Sequence, residues 1–393
     1  MSYSEAAHAL CVFGTRPEAI KQAPVVWAMR SRSDRFRVTT LSTGQHREML
    51  RPMLELLDLT PELELDLMRP SQTLADVTAR CMRMMDDVLD GLRPDMVVVQ
   101  GDTTTAMAAA MAAFYRRIPV AHVEAGLRSG SMSEPFPEEA NRCVIDLFAR
   151  WLFAPTEAAA ALLRREGIDE GRIFVTGNTV VDALQHVKRK LGARDLHVEG
   201  VPPDALAGGR RLVLVTCHRR ESFGRGVEEV CAAIKMLAAH HRDALFVYPV
   251  HLNPSIIGPV RERLGGIDNI ALVPPQPYDG FLALLSRAYL VLTDSGGVQE
   301  EAPSFDVPVL VMRNRTERPE GVAAGCARLV GVDAEHIVDA ADEVLVDGAL
   351  HARMAAAASP YGDGHAGERI ARALAGDDAS YDVEPSISTA PSA

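Results

Sequence analysis

The sequence predicts an α/β protein of two Rossmann-like, doubly wound parallel-sheet domains facing a cleft. Three observations predict it. Short apolar runs bounded by Gly, Pro or Asp alternate along the chain with Ala-rich helical stretches. The runs are apolar throughout rather than at every second residue, as strands covered on both faces must be. At 393 residues the chain also exceeds what one core ordinarily supports.

In the first half the runs are HALCVFG (8–14), RVTTLST (37–43), DMVVVQG (95–101), PVAHVEA (119–125), WLFAP (151–155) and IFVTG (173–177). Beyond residue 210 they are RLVLVTC (211–217), ALFVYPV (244–250), NIALVPP (269–275), YLVLTDS (289–295), PVLVM (308–312) and ARLVG (327–331). Helical stretches follow most of them, for example 103–116 and 226–241. The stretch 188–211 is charged, then rich in Pro and Gly, and reads as the passage between halves. The expected domains are 1–177 and 178–359, with a helix at about 360–376 packing back on the first. The tail 377–393 has few large apolar groups to bury and is expected to be disordered.

A balance of 41 basic to 53 acidic residues, net −12, argues against nucleic acid or an anionic membrane as partner. Any phosphate must be met locally. No apolar run approaches the roughly 18 residues of a membrane helix, and the N-terminus lacks a basic leader. Six cysteines form no C-x-x-C pair, and no His/Cys/Asp set has metal-ligand spacing, so a reduced cytoplasmic protein without a metal is expected. No G-x-G-x-x-G follows a strand, so no nicotinamide cofactor is expected.

Candidate polar residues fall just past the carboxyl ends of the expected strands, the edge that lines the ligand crevice of an open parallel sheet. GTRPEAIK places Arg16 in a turn and Lys21 a turn later, two cations able to clamp a diphosphate. A surface turn with Glu18 offsetting Arg16 fits the same spacing. GDTTT places Asp102 where it, or a following Thr, caps a helix. HVEAGLRSG carries Glu124, and PFPEEANR carries Glu138 and Arg142 at i,i+4, an ordinary helix-pair spacing. Three carboxylates near one crevice also resemble proton-transfer equipment. In the second half, VTCHRRESFGRG sets His218 among arginines, where neighbouring cations favour neutral imidazole. DSGGVQEEAP opens a helix at Ser295, Gly296 and Gly297, a turn that invites an anion, yet sets Glu300 and Glu301 a turn later.

These stretches, with TGQHREML, TGNTVVDAL, YPVHLNP, TERPEGV and PYGDG, resemble the bacterial non-hydrolysing UDP-N-acetylglucosamine 2-epimerases over roughly residues 8–375. The resemblance implies a fold like the two-domain nucleotide-sugar glycosyltransferases, no cofactor and a homodimer. It implies interconversion of UDP-GlcNAc and UDP-ManNAc, supplying ManNAc units for surface polysaccharide. By motif it puts Arg16 and Lys21 at the phosphates, Asp102, Glu124 and Glu138 at the essential acidic positions, and His218, Ser295, Gly296, Gly297, Glu301 and Arg318 on the nucleotide side, with Arg142 also binding substrate. Glu301 is then expected against the ribose hydroxyls, which a carboxylate accepts well. Ser71 stands where relatives activated by a second UDP-GlcNAc carry an arginine.

The chemistry expected of such a site is elimination. C2 of the sugar bears nitrogen and adjoins C1, so no carbonyl absorbs the charge of direct deprotonation. A base takes the C2 proton while UDP leaves C1, and re-addition to the 2-acetamidoglucal on the other face gives the epimer. A hydrolysing epimerase, a glycosyltransferase and a catalytically dead sensor are the competing readings, and the filled acidic positions disfavour the last.

Overall fold

The computed structural model describes residues 6–44, 47–133, 135–191, 198–202, 206, 209–217, 225–251, 253–316 and 318–377. They divide into two compact units, one ending at His186 and rejoined from Tyr361, the other running from Val187 to Pro360.

The first unit alternates strand and helix: β1 (Ala7–Phe13), α1 (Arg16–Arg30), β2 (Phe36–Ser42), α2 (Arg47–Leu56), β3 (Leu63–Glu64), α3 (Leu74–Leu92), β4 (Met96–Gln100) and α4 (Thr104–Tyr115). It continues through β5 (Val120–Val123), α5 (Glu138–Phe148), β6 (Trp151–Ala154), α6 (Glu157–Arg165), β7 (Ile173–Val175) and α7 (Thr179–Leu191). All pairings are parallel, in the order β3-β2-β1-β4-β5-β6-β7. Every residue of β1, β4 and β5 is buried, which is why these segments read as unbroken apolar runs. The strand β3 lies outside the expected set. It pairs only Leu63 and Glu64 at the sheet edge, and its half-exposed side chains leave no apolar run to read.

The second unit repeats the plan with β8 (Arg211–Thr216), α8 (Arg225–His240), β9 (Ala244–Pro249), α9 (Pro254–Leu264), β10 (Ile270–Val273), α10 (Tyr278–Arg287) and β11 (Ala288–Thr293). Then follow α11 (Gly296–Glu301), β12 (Val309–Val311), α12 (Pro319–Ala324), β13 (Ala327–Leu329), α13 (Ala334–Val346) and α14 (Gly348–Ala355). Its six parallel strands run β10-β9-β8-β11-β12-β13. In both sheets the order reverses beside the first strand, between β1 and β4 and between β8 and β11. Ligands of doubly wound sheets bind at the carboxyl ends of such strands.

The start of the second domain expected at residue 178 needs correction. α7 runs on to Leu191, so residues 188–191 finish a helix rather than open a linker, and 178–186 pack with the first unit. The physical reason is a set of bonds to the returning chain. Asn178 N–H donates to the Tyr361 carbonyl (2.7 Å), Gln185 Nε2 to the Asp363 carbonyl (3.1 Å), and Gly367 N–H to Asp182 Oδ1 (2.8 Å). The returning helix α15 (Ala366–Leu374) crosses α1 so closely that a Cβ on Gly367 would lie 2.6 Å from the Pro24 carbonyl oxygen. Of the expected disordered tail, Asp377 is ion-paired with Arg32, and residues 378–393 lie outside the described residues.

Burial raises the Asp182 carboxyl from 3.8 to about 6, against the pull of the Gly367 and Ala366 N–H groups. Its Oδ2 is buried without a hydrogen-bond partner among the described residues. A folded-state value above the unfolded one means the protonated form favours folding. That stability is full below pH 3.8 and is lost as pH rises through about 6. Asp182→Asn is therefore expected to be less sensitive to pH in this window than the parent by about 2–3 kcal/mol, checked by urea denaturation at both ends of it.

Candidate active site

The first-unit candidates collect where β1, β4 and β5 end. Between β1 and α1 the Gly14–Thr15 turn would present N–H groups to an anion, but an internal carboxylate already holds them. Glu18 Oε2 accepts from Gly14 N–H (2.8 Å), Thr15 N–H (2.7 Å) and the Thr15 hydroxyl (2.9 Å), and Oε1 accepts from the Thr103 hydroxyl (2.5 Å). Glu18 is 2% exposed, and burial pushes its carboxyl up while these donors pull it down. The surface turn in which Glu18 offsets Arg16 is thus overturned. With the Gly14 and Thr15 amides taken, the side chains of Arg16 and Lys21 are the cations this turn offers a phosphate. Arg16 is half-buried as the first residue of α1, and Lys21 Nζ is bonded to Glu124 Oε1 one turn on.

Glu124 is reached by sharp backbone geometry. It follows β5 at φ +70°, in the left-handed region that costs a residue with a Cβ, and its other oxygen accepts from Gln100 Nε2. Gly101, across the sheet edge at φ +71°, makes the matching turn out of β4. Thr103, not Asp102, caps α4, its hydroxyl accepting from Ala106 N–H (3.0 Å). Asp102 is released to pair with Arg142. The i,i+4 reading of Glu138 with Arg142 is corrected as well: Arg142 bonds Asp102 and, at i,i+3, Glu139 (3.2 Å). Glu139 is buried and accepts from Ser129 N–H (3.0 Å) and Gly130 N–H (3.2 Å). Glu138, half-buried in the first turn of α5, has no hydrogen-bond or ion-pair partner among the described residues.

In the second unit Ser295 caps α11. Its N–H turns back to the Thr293 hydroxyl (2.9 Å), so the amides opening the helix are those of Gly296, which is buried, and Gly297, which is exposed. The two adjacent carboxylates diverge by about 100°, as successive helical residues do. Glu300 turns inward, 3% exposed, to Arg318 Nε, while Glu301 Oε1 accepts from the Tyr278 hydroxyl (3.0 Å). Gln299 adds a second tie, its Oε1 accepting from Thr316 Oγ1 (2.6 Å), whose oxygen in turn accepts from Arg318 N–H (3.0 Å). His218 and its neighbouring arginines lie outside the described residues.

Residues 28–375 match the UDP-N-acetylglucosamine 2-epimerase family. The chain belongs to that family. A UDP-N-acetylglucosamine 2-epimerase of Yersinia pestis is 50% identical over 367 residues, 93% of this chain and 97% of that one. The crystal structure of UDP-GlcNAc 2-epimerase from Neisseria meningitidis bound to UDP-GlcNAc superposes with a TM-score of 0.84 at 40% identity, covering 93% of this chain and 99% of the other. A glycosyltransferase of kitacinnamycin, 16% identical with a TM-score of 0.66 over 95% and 99% of the chains, shares the fold. Among the described residues of this family member, no helix is long and apolar enough to cross a membrane, and no His, Cys, Asp and Glu group could hold a metal.

Partners that sequence spacing did not disclose surround the candidates: Glu18, Gln100, Thr103, Glu139, Tyr278 and Glu300. All but Tyr278 sit within two residues of a quoted candidate, and adjacency was the one available signal. Glu18→Ala is expected to strip acceptors from two buried backbone N–H groups at about 1–3 kcal/mol each, read as a lowered denaturation midpoint.

Proposed function

We propose that this protein interconverts UDP-N-acetylglucosamine and UDP-N-acetylmannosamine at C2 without hydrolysis. What carries the reading is the set of carboxylates at the exits of β4 and β5 in a member of this family: Asp102 and Glu124, each held by a cation, with Glu138 in the first turn of α5 unpartnered among the described residues.

Elimination is the step these groups suit. The C2–H bond breaks as its proton passes to a carboxylate, the electron pair forms the C1–C2 double bond, and UDP leaves C1. Returning UDP to C1 while a proton reaches C2 on the opposite face yields the epimer. Asp102, Glu124 and Glu138 move the proton. In the first unit Arg16 and Lys21, and in the second Arg318 and the Gly296 and Gly297 amides, are the groups suited to a departing diphosphate, a role the family resemblance also gives His218. Glu301, oriented by Tyr278, takes the ribose hydroxyls, and Arg142 keeps Asp102 in place. No resident cofactor enters these steps. Product ManNAc units would feed surface polysaccharide from the cytoplasm. A homodimer is supported by Phe114, Tyr115 and Leu147, large apolar side chains exposed at the ends of α4 and α5, with Phe114 4.7 Å from Phe148.

Incubation with UDP-GlcNAc in deuterium oxide should give UDP-ManNAc bearing deuterium at C2. Retention of the original hydrogen in all product would overturn elimination, and accumulation of UDP with free ManNAc in equal amounts would mark a hydrolase instead. Glu301→Ala should weaken UDP binding by about 1.5–3 kcal/mol per lost ribose bond, measured by calorimetry, with thermal stability near that of the parent.

A further inference from the structure

The exits of β4 and β5 share a buried network that no step of the elimination uses. His122, the third residue of β5, is fully buried, with Nε2 2.8 Å from the Gly101 carbonyl and Nδ1 2.6 Å from Asp146 Oδ1. Asp146 Oδ2 accepts from Gly126 N–H (3.2 Å) and pairs with Arg128 (2.8 Å). Burial alone would raise the Asp146 carboxyl, but His122 and Arg128 outweigh it and hold it below its ordinary range. A buried ionic cluster is costly to assemble and adds little net stability over apolar packing, so its retention calls for another account.

Its connections supply one. Gly101 immediately precedes Asp102. His122 and Gly126 stand two residues before and after Glu124, whose left-handed backbone needs support from both sides. Asp146 therefore ties down the loop of Glu124 at both ends, and through His122 the turn that carries Asp102. The anchor comes from α5, on which Glu139, Arg142 and Asp146 follow at i, i+3 and i+7, one face of a helix. From that helix Asn141 also donates to the Asp102 carbonyl (2.9 Å), and Arg142 reaches the Asp102 carboxylate.

We propose that Asp146 and His122 are positioning residues, holding the Asp102 and Glu124 carboxylates for proton transfer at C2 without touching substrate. The inference builds on the epimerase reading above. Misplacing a reacting group by about 1 Å costs about 100-fold in rate. Asp146→Asn should therefore lower kcat roughly 10- to 100-fold with KM for UDP-GlcNAc and UDP affinity within about threefold of the parent. The kinetic isotope effect on C2-deuterated substrate should rise as proton transfer becomes slower.

His122 separates positioning from simple core filling. Gln at 122 reaches the Nε2 position and can keep the Gly101 bond, whereas Asn reaches only toward Asp146. His122→Gln should retain several-fold more kcat than His122→Asn at equal folded fraction, and this comparison decides the matter if Asp146→Asn does not fold. Unchanged kcat in Asp146→Asn, equal kcat in the two His122 variants, or activity and UDP binding falling together with folded fraction would each overturn the inference. Parent protein inactive on UDP-GlcNAc would overturn the functional reading and the positioning inference with it.

Discussion

A strand covered on both faces can hold a polar side chain along its length only by giving it a buried partner, as His122 has in Asp146, and both units depend on that constraint. β1, β4 and β5 are buried along their whole length, as is nearly all of β8. An unpaired polar group in their middles would cost the full desolvation of that group. Polar chemistry is thereby pushed to the carboxyl edge, where helices begin and backbone amides are free of the ladder. The six strands of the second sheet follow the order of the first six of the first sheet, which places the switch point equivalently within each.

At the edge, neighbouring charges largely neutralise one another within each unit. Glu18 satisfies the amides of the first turn, Lys21 meets Glu124, Arg142 meets Asp102, and Glu300 meets Arg318. Desolvated charges are tolerable only with such partners and with hydrogen bonds to the remaining atoms. The consequence for function is preorganisation, since each cation and carboxylate has a defined direction before any ligand arrives. It also separates two roles among similar residues. Glu18 and Glu300 are inward-facing supports, whereas Glu138 remains unpartnered among the described residues and Glu301 is met by a neutral hydroxyl.

Left-handed backbone at two successive strand exits completes the arrangement. Gly101 adopts it without a steric penalty, while Glu124 does so with a full side chain and relies on amide bonds to the Phe153 carbonyl (3.0 Å) and on the Asp146 network around it. Helix α5 thus acts on two strand exits at once. Its Asn141, Arg142 and Asp146 belong to the element that follows β5, yet their partners lie at the ends of β4 and β5.

By itself the sequence determined the alternation of buried strands and helices, because burial on both faces writes an unbroken apolar run. It also determined which motifs stand at strand exits, hence the family resemblance and the candidate residues Arg16, Asp102, Glu124, Ser295 and Glu301. The two-residue edge strand β3 left no such mark, since half-exposed positions impose little on composition. Pairing was decided only in three dimensions. Spacing joined Glu138 to Arg142, but Asp102, 40 residues away in the chain, is the stronger partner because the β4 exit brings it under α5. Spacing likewise set Glu18 against Arg16, whereas the turn amides and Thr103 drew it inward. Local sequence determines which groups are near one another along a helix. Which of them meet depends on contacts between distant segments, and those exist only once the sheet has assembled.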